Sequence, residues 1–263
     1  MTTFYIVTPS YNQAQFLKQT VDSILLQKEK FVIKYIVMDG GSTDDSVKLL
    51  RSYGRKVVWQ SEKDAGQTDA INKGIRYFAQ LPLKDKADCI FAYLNSDDYY
   101  LPETLAKVAH AFVNQPDKQW IVGDAKIVDS SGSEIQRPIR WYKQFWRTVY
   151  GNWVLNILNP IPQPSVFIRW TAVQEIGLFT QSLRYVMDYE YWLRLQKKFG
   201  NPIILNTPLS AFRIHGQSKG GTAFIKQFAE ELDVVQKYCQ NRLLITLHQL
   251  HTACIVGVYR LIK

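Results

Sequence analysis

Apolar positions in the first half of the chain follow two alternating periods. Phe4–Thr8, Tyr35–Met38, Val57–Gln60 and Cys89–Leu94 are short apolar runs, the pattern of strands buried on both faces of a parallel sheet. Between them the spacing becomes helical. Leu17, Val21, Ile24 and Leu25 share one face of Gln13–Leu26, which predicts an amphipathic helix capped by Asn12 or Ser10. A second helix follows Ser42, its expected cap, turns Val47 and Leu50 inward and stops at Gly54. A third runs from near Gly66 to Ala79 and buries Ala70, Ile71, Ile75 and Phe78. Pro102 opens a fourth, with Leu105, Val108, Ala109 and Phe112 inward. Strands alternating with helices predict an α/β fold with a mixed, mostly parallel sheet flanked by helices. Beyond Gln115, Trp120–Val128 and Glu134–Arg137 flank Ser130-Ser131-Gly132 and read as a hairpin. Residues 1–220 read as one continuous domain, and residues 221–263 as a C-terminal helical extension.

The strand ends are polar. Cys89–Leu94 breaks into Asn95-Ser96-Asp97-Asp98, and ligands of open α/β sheets sit outside the carboxyl ends of the strands. Paired carboxylates there can hold a hard divalent cation, and the cation a diphosphate; Asp-Asp is also ordinary turn and cap chemistry. Neighbours in extended chain point to opposite faces, so one carboxylate is expected to face the metal. Asp97 is assigned that role, and Asp98 the bracing of a loop or cap. Three other strand ends carry Thr8-Pro9-Ser10-Tyr11-Asn12, Asp39-Gly40-Gly41-Ser42-Thr43-Asp44 and the polar segment Ser61–Gly74. Asp39 can accept from a base N–H or a ribose hydroxyl, and the glycines beside it permit close approach of a ligand.

Composition narrows the class. With 46% hydrophobic and 21% charged residues, the 263-residue chain reads as an ordinary globular protein. Three widely spaced cysteines give neither a zinc spacing nor a disulfide framework, which favours a reducing, cytoplasmic compartment. The first strand begins at Phe4, so no signal peptide is expected, and no apolar run is long enough to span a bilayer. The net charge of +9 favours polyanionic partners, yet no nucleic-acid-binding motif is present. Ile135–Gln174 contains no acidic residue but holds Arg137, Arg140, Lys143, Arg147 and Arg169 and four of the seven Trp. This span is either a solvated basic face over a core or a surface for anionic headgroups at the inner face of the cytoplasmic membrane. The acid-free tail after Asp233 reads as helix packed on its own domain or on a second subunit of a homo-oligomer, with membrane contact the second choice.

Taken in order, these four segments resemble the successive motifs of family 2 glycosyltransferases with the GT-A fold. Pro162-Gln163-Pro164-Ser165-Val166-Phe167, Met187-Asp188-Tyr189-Glu190-Tyr191-Trp192-Leu193-Arg194 and Phe212-Arg213-Ile214-His215 resemble the later ones. The resemblance covers about the first four-fifths of the chain. It implies a hexosyl- or N-acetylhexosaminyltransferase with a nucleotide-sugar donor (UDP-sugar favoured), Mn²⁺ or Mg²⁺, and inversion at the anomeric carbon. Its acceptor would be a glycan or lipid-linked acceptor of cell-surface polysaccharide. By the same resemblance Pro9 and Tyr11 line the base pocket, Asp39 holds the base, and Thr8, Asp64, Gln67, Asn72, Asn95 and Ser96 complete the donor site. Asp97 holds the metal, and His215 the metal or the diphosphate. Many members carry Asp where this chain has Asn95, so no second carboxylate ligand is expected from that position.

Asp188 matches the catalytic-base position. An inverting transfer needs a base for the acceptor hydroxyl. On a helix from Asp188 to Lys198, Asp188 and Trp192 share a face, which suits Trp192 to stacking on a sugar with Gln163 on the acceptor side. Glu190 then pairs with Arg194 at the surface. Alternatively Asp188 merely caps this helix. His215 precedes a glycine-rich segment, and either Lys219 or Arg213 is expected to meet a phosphate. Two competing readings are a sugar-phosphate nucleotidyltransferase and a non-catalytic glycan- or nucleotide-binding module. The first would want a Gly-rich, cationic loop after the first strand, which Thr8–Asn12 is not.

Overall fold

The computed structural model describes residues 1–27, 31–82, 88–216 and 224–262. Lys219, the segment 217–221 and the expected boundary at 220/221 lie outside the described residues. Eight strands form one sheet: β1 (Thr3–Ser10), β2 (Val32–Asp39), β3 (Val58–Ser61), β4 (Cys89–Tyr93), β5 (Tyr99–Tyr100), β6 (Trp120–Val128), β7 (Val166–Arg169) and β8 (Ile203–Arg213). Their order is β3-β2-β1-β4-β7-β6-β8-β5. Strands β1 to β4 pair in parallel, as do β6 and β8, whereas β7 and β5 pair antiparallel to their neighbours. The mostly parallel, mixed sheet expected from the alternating pattern is the one observed.

The core lies on both faces of this sheet, and side-chain alternation sorts residues between them. Phe4 and Ile6 of β1 face one cluster, where they meet Leu17, Val21 and Ile24 of α1 (Ala14–Leu25). Leu50 of α2 (Ser46–Ser52) and Leu105, Val108 and Phe112 of α4 (Thr104–Asn114) join them. Tyr5 and Val7 face the other cluster, with Ala70, Ile71, Ile75 and Phe78 of α3 (Gln67–Gln80). Gly74 lets α3 lie directly on β1, since a Cβ there would come within 2.4 Å of Val7. The same cluster takes in α6 (Trp170–Ile176), α7 (Met187–Phe199) and, through Val234, Val235 and Cys239, the helix α8 (Phe224–Tyr238) with the residue after it. Helix α9 (Arg242–Ile262) packs on α8.

Two expectations fail locally. Glu134–Arg137 is not a strand. Asp129 Oδ1 accepts from the Ser131 and Ser133 amides and closes a turn, only Glu134 bridges back to Val128, and Arg137 already begins α5 (Arg137–Thr148). The caps also differ. Asp44 Oδ2, thirty residues away, accepts from the Ala14 amide at 2.9 Å and satisfies the start of α1 in place of Asn12 or Ser10. Ser42 caps nothing: α2 starts only at Ser46, and the Ser42 hydroxyl donates to Asp39 and accepts from the Asn12 amide.

Candidate active site

The carboxyl ends of β1 to β4 open a cleft of about 660 Å³, within the usual range for ligand pockets. Pro9, Tyr11, Gly40, Gly41, Lys63, Asp64, Gln67, Asn95, Ser96 and Asp97 line it. Its loops lock one another. The Asn12 amide donates to Ser42 Oγ and Asn12 Oδ1 accepts from the Thr43 amide, each at 2.8 Å, with Asn12 itself left-handed at φ 51°. Asp39 is buried beneath this junction. Its carboxylate accepts from the Gly41 and Ser42 amides and from the Ser42 and Ser61 hydroxyls. Gly40 closes the floor, where a Cβ would stand 2.9 Å from Asp64.

Two expected donor-site residues are turned elsewhere. Thr8 is fully buried, its hydroxyl accepting from Tyr35 at 3.1 Å. Asn72 is buried on the far side of α3 and clamps the Phe179 backbone, with both N–H···O contacts at 2.9 Å. Both positions read as polar in sequence because each satisfies a buried partner.

The two aspartates face apart as expected, but a turn separates them rather than extended chain: the Asp98 amide donates to the Asn95 carbonyl at 3.1 Å. Asp97 lines the cleft, and its Oδ2 lies 3.0 Å from His215 Nε2. Asp98 is buried, accepting from the Arg213 amide at 2.8 Å and from the Asn95 side chain at 3.3 Å. Burial, and then the adjacent Asp97 charge, push the Asp98 carboxyl well above the usual carboxylate range. Arg213 is not a free phosphate ligand. Its guanidinium donates to the carbonyls of Asp97, Asp129 and Ser130 and to Gln19 Oε1, and so fixes the Asp97 loop.

Asp188 stands outside this cleft, in the first turn of α7. It does not cap the helix. Nor does any other side chain; Glu230 of α8 instead pins the segment that leads into it, accepting from the Arg184, Tyr185 and Val186 amides at 3.0, 2.7 and 3.0 Å. Burial pushes the Asp188 carboxyl up, partly offset by the Tyr189 amide and the Lys143 cation. Trp192 cannot stack on a sugar: it is 1% exposed and lies against Trp120 with ring centroids 6.3 Å apart. Glu190 does pair with Arg194, at 3.0 Å, but in the interior, where Thr180 and Tyr238 also donate to it. Gln163 ties the Asn95 wall of the cleft to the end of β4. Its amide donates to the Tyr93 carbonyl and accepts from Asn95, whose own oxygen accepts from Gln67 at 2.7 Å.

Sequence reasoning passed over Lys63 at the cleft mouth and the cluster behind Asp188, formed by Lys143 of α5 and Glu231 of α8. Glu231 carried no signal except an acid amid an otherwise buried helix face. Burial pushes its carboxyl up to about 7, against the donated Gln227 hydrogen bond. Folding therefore takes up a proton. The stability this contributes is complete below the free value of 4.5 and is lost as pH rises through about 7. Glu231→Gln should remove the slope and stabilise the chain by about 3 kcal/mol at alkaline pH. Urea unfolding of both forms at acid and alkaline pH measures it, and parallel pH profiles would contradict it.

Comparison with known proteins gives this geometry a context. An uncharacterised glycosyltransferase of Rickettsia prowazekii is 27% identical over 236 residues, which cover 87% of this chain and 69% of that one. One from Mycobacterium tuberculosis is 27% identical over 195 residues, covering 73% and 68%. Other relatives are longer; the chain spans 37% of one from Rickettsia felis. Among solved structures, S. aureus TarS 1–349 in complex with UDP-GlcNAc superposes with a TM-score of 0.64 at 14% identity, over 94% of this chain and 70% of that one. The mannosyltransferase PcManGT of Pyrobaculum calidifontis, in complex with GDP-Man and Mn²⁺, gives 0.64 at 13% identity, over 95% and 68%. These likenesses show the GT-A fold. The profile of glycosyl transferase family 2 matches residues 5–173, well over half of the sequence, and the chain belongs to that family.

Proposed function

We propose that the protein moves a sugar, with inversion at the anomeric carbon, from a nucleotide-sugar donor (a UDP-sugar favoured) to a glycan or lipid-linked acceptor. The observation that carries this reading is the Asp97 carboxylate beside the His215 imidazole in the wall of a cleft built from strand-end loops. Tyr11, 60% exposed at the cleft with Pro9 beside it, offers a ring face to a base. Asp39 lies beneath the glycine floor, within reach of the base or ribose if Ser42 releases it. Asp64, Gln67, Asn95 and Ser96 present polar groups along the walls.

The donor set fits Mn²⁺ or Mg²⁺. Among the described residues no cluster of three or more His, Cys, Asp or Glu side chains is present. Asp97 and His215 would supply two ligands and leave the rest to diphosphate oxygens and water, as such ions prefer. When bound, the ion supplies positive charge against the leaving nucleoside diphosphate. Arg213 holds the Asp97 backbone, so the carboxylate is oriented before the donor arrives. Asp188, outside the donor cleft in the first turn of α7, takes the acceptor hydroxyl proton. The acceptor oxygen then bonds to the anomeric carbon as that carbon's bond to the diphosphate breaks.

Asp97→Ala tests the reading. Titration of a UDP-sugar with and without Mn²⁺ should show a metal-dependent gain in affinity for the natural chain. The variant should lose roughly a hundredfold of it. An equal gain in both would remove Asp97 from the metal site.

A further inference from the structure

Helix α5 is built inside out. A helix on a globular surface ordinarily buries its apolar stripe and shows water its charges. Here Arg140 and Arg147 point inward onto Asp124, and Arg147 is 1% exposed. Trp141 and Phe145, one turn apart on the opposite face, are 61% and 58% exposed, with Tyr142 beside them. The aromatic face continues onto α9. Tyr142 and His251 share a hydrogen bond of 2.8 Å and lie with their rings parallel, joining the two helices. Beside that joint Leu243, Leu247 and Leu250 form an exposed stripe at helical spacing. Contiguous exposed apolar surface of this kind marks an interaction site.

We propose that this face docks the protein onto an anionic lipid bilayer. Charge selects the occupant. Residues 135–174 contain no acid, and neither does the chain after Asp233, so both helices carry cations such as Arg137 and Arg242 and no carboxylate of their own, while Glu134, just before α5, is paired with Arg140 and Arg137. A second copy laid on the same face would bring like charge against like, whereas anionic headgroups complement it. Trp, Tyr and Phe with flanking Arg are the side chains that suit the boundary between headgroups and acyl chains. The contact lies on the surface and does not cross it, for among the described residues no helix is long and apolar enough to span a membrane. The docking stands apart from the proposed transfer reaction, although it fits a lipid-linked acceptor.

The test is sedimentation of the full chain with vesicles of phosphatidylcholine alone or mixed with phosphatidylglycerol. The chain should pellet with the mixed vesicles only, less so as salt rises. Trp141→Ser with Phe145→Ser should weaken binding roughly tenfold or more while thermal unfolding and UDP-sugar binding stay unchanged. Brominated acyl chains should quench the tryptophan fluorescence of the natural chain, a readout that needs no variant. No binding to mixed vesicles, or undiminished binding by a folded double variant, would overturn the proposal. So would a solution dimer that the double variant converts to monomer.

Discussion

Asp188→Asn lowers the turnover number by about a thousandfold or more and leaves donor affinity unchanged, if Asp188 is the base. The substitution conserves shape and removes only the ability to take a proton. The amide oxygen can still accept from the Tyr189 N–H, the contact Asp188 makes at 2.8 Å. The segment leading into α7 does not depend on Asp188, because Glu230 satisfies three amides there. The donor cleft does not include Asp188 either, so donor titration should not register the change. A pH profile adds a second signature. Burial raises the Asp188 carboxyl, so the active, deprotonated form is lost on acidification earlier than for an exposed aspartate. The acid limb of kcat/KM should therefore lie higher than an exposed aspartate would place it in the natural chain and vanish from the residual activity of the variant. Initial rates with a UDP-sugar, beside calorimetric donor titration, measure both. A variant that keeps a tenth of the rate would assign the proton to another group.

The sheet and the cleft were legible because parallel strands write themselves as apolar runs and their ends as polar breaks. β1, β2 and β4 fall within a few residues of the expected runs, and Asp97 faces the cleft as expected, although a turn and not extended chain puts it there. Legibility stopped where a polar residue serves the interior. Thr8 and Asn72 look like ligand groups in sequence, but one answers Tyr35 and the other Phe179, partners 27 and 107 residues away. Caps failed for the same reason. Local rules look for a side chain next to the helix, and the first amide of α1 is met by Asp44 from another element. Trp192 shows the converse. Its spacing from Asp188 is helical as expected, but periodicity gives a face and not its neighbour, and that neighbour is Trp120. An acid-free basic span gave no hint that its arginines turn inward, because the acid they meet lies upstream in a strand.

That acid, Asp124, supports the second large expectation: Asp124→Ala costs about 3–5 kcal/mol of stability. It sits in β6 where the register with β8 shifts on both sides of it, the kind of irregularity that re-aims a side chain. Its Oδ2 takes the Arg140 Nε and Nη2 at 2.8 and 2.7 Å, and its Oδ1 takes Arg147. Arg140 has a second carboxylate in Glu134 at 2.6 Å, whereas Arg147 has only the Pro160 carbonyl besides. Removing Asp124 thus strands one nearly inaccessible guanidinium, and the desolvation of that charge dominates the loss. The double change Asp124→Ala with Arg147→Met should then be less costly than Asp124→Ala alone, since it removes the stranded charge along with its partner. Urea unfolding of the natural chain and of these two variants measures both differences. Because these contacts are what hold the arginine side of α5 inward, the single variant should also show faster amide exchange across residues 137–148 than across β1 or β4. A single variant within about 1 kcal/mol of the natural chain, or a double variant less stable than it, would mean that the helix is held by its aromatic contacts instead.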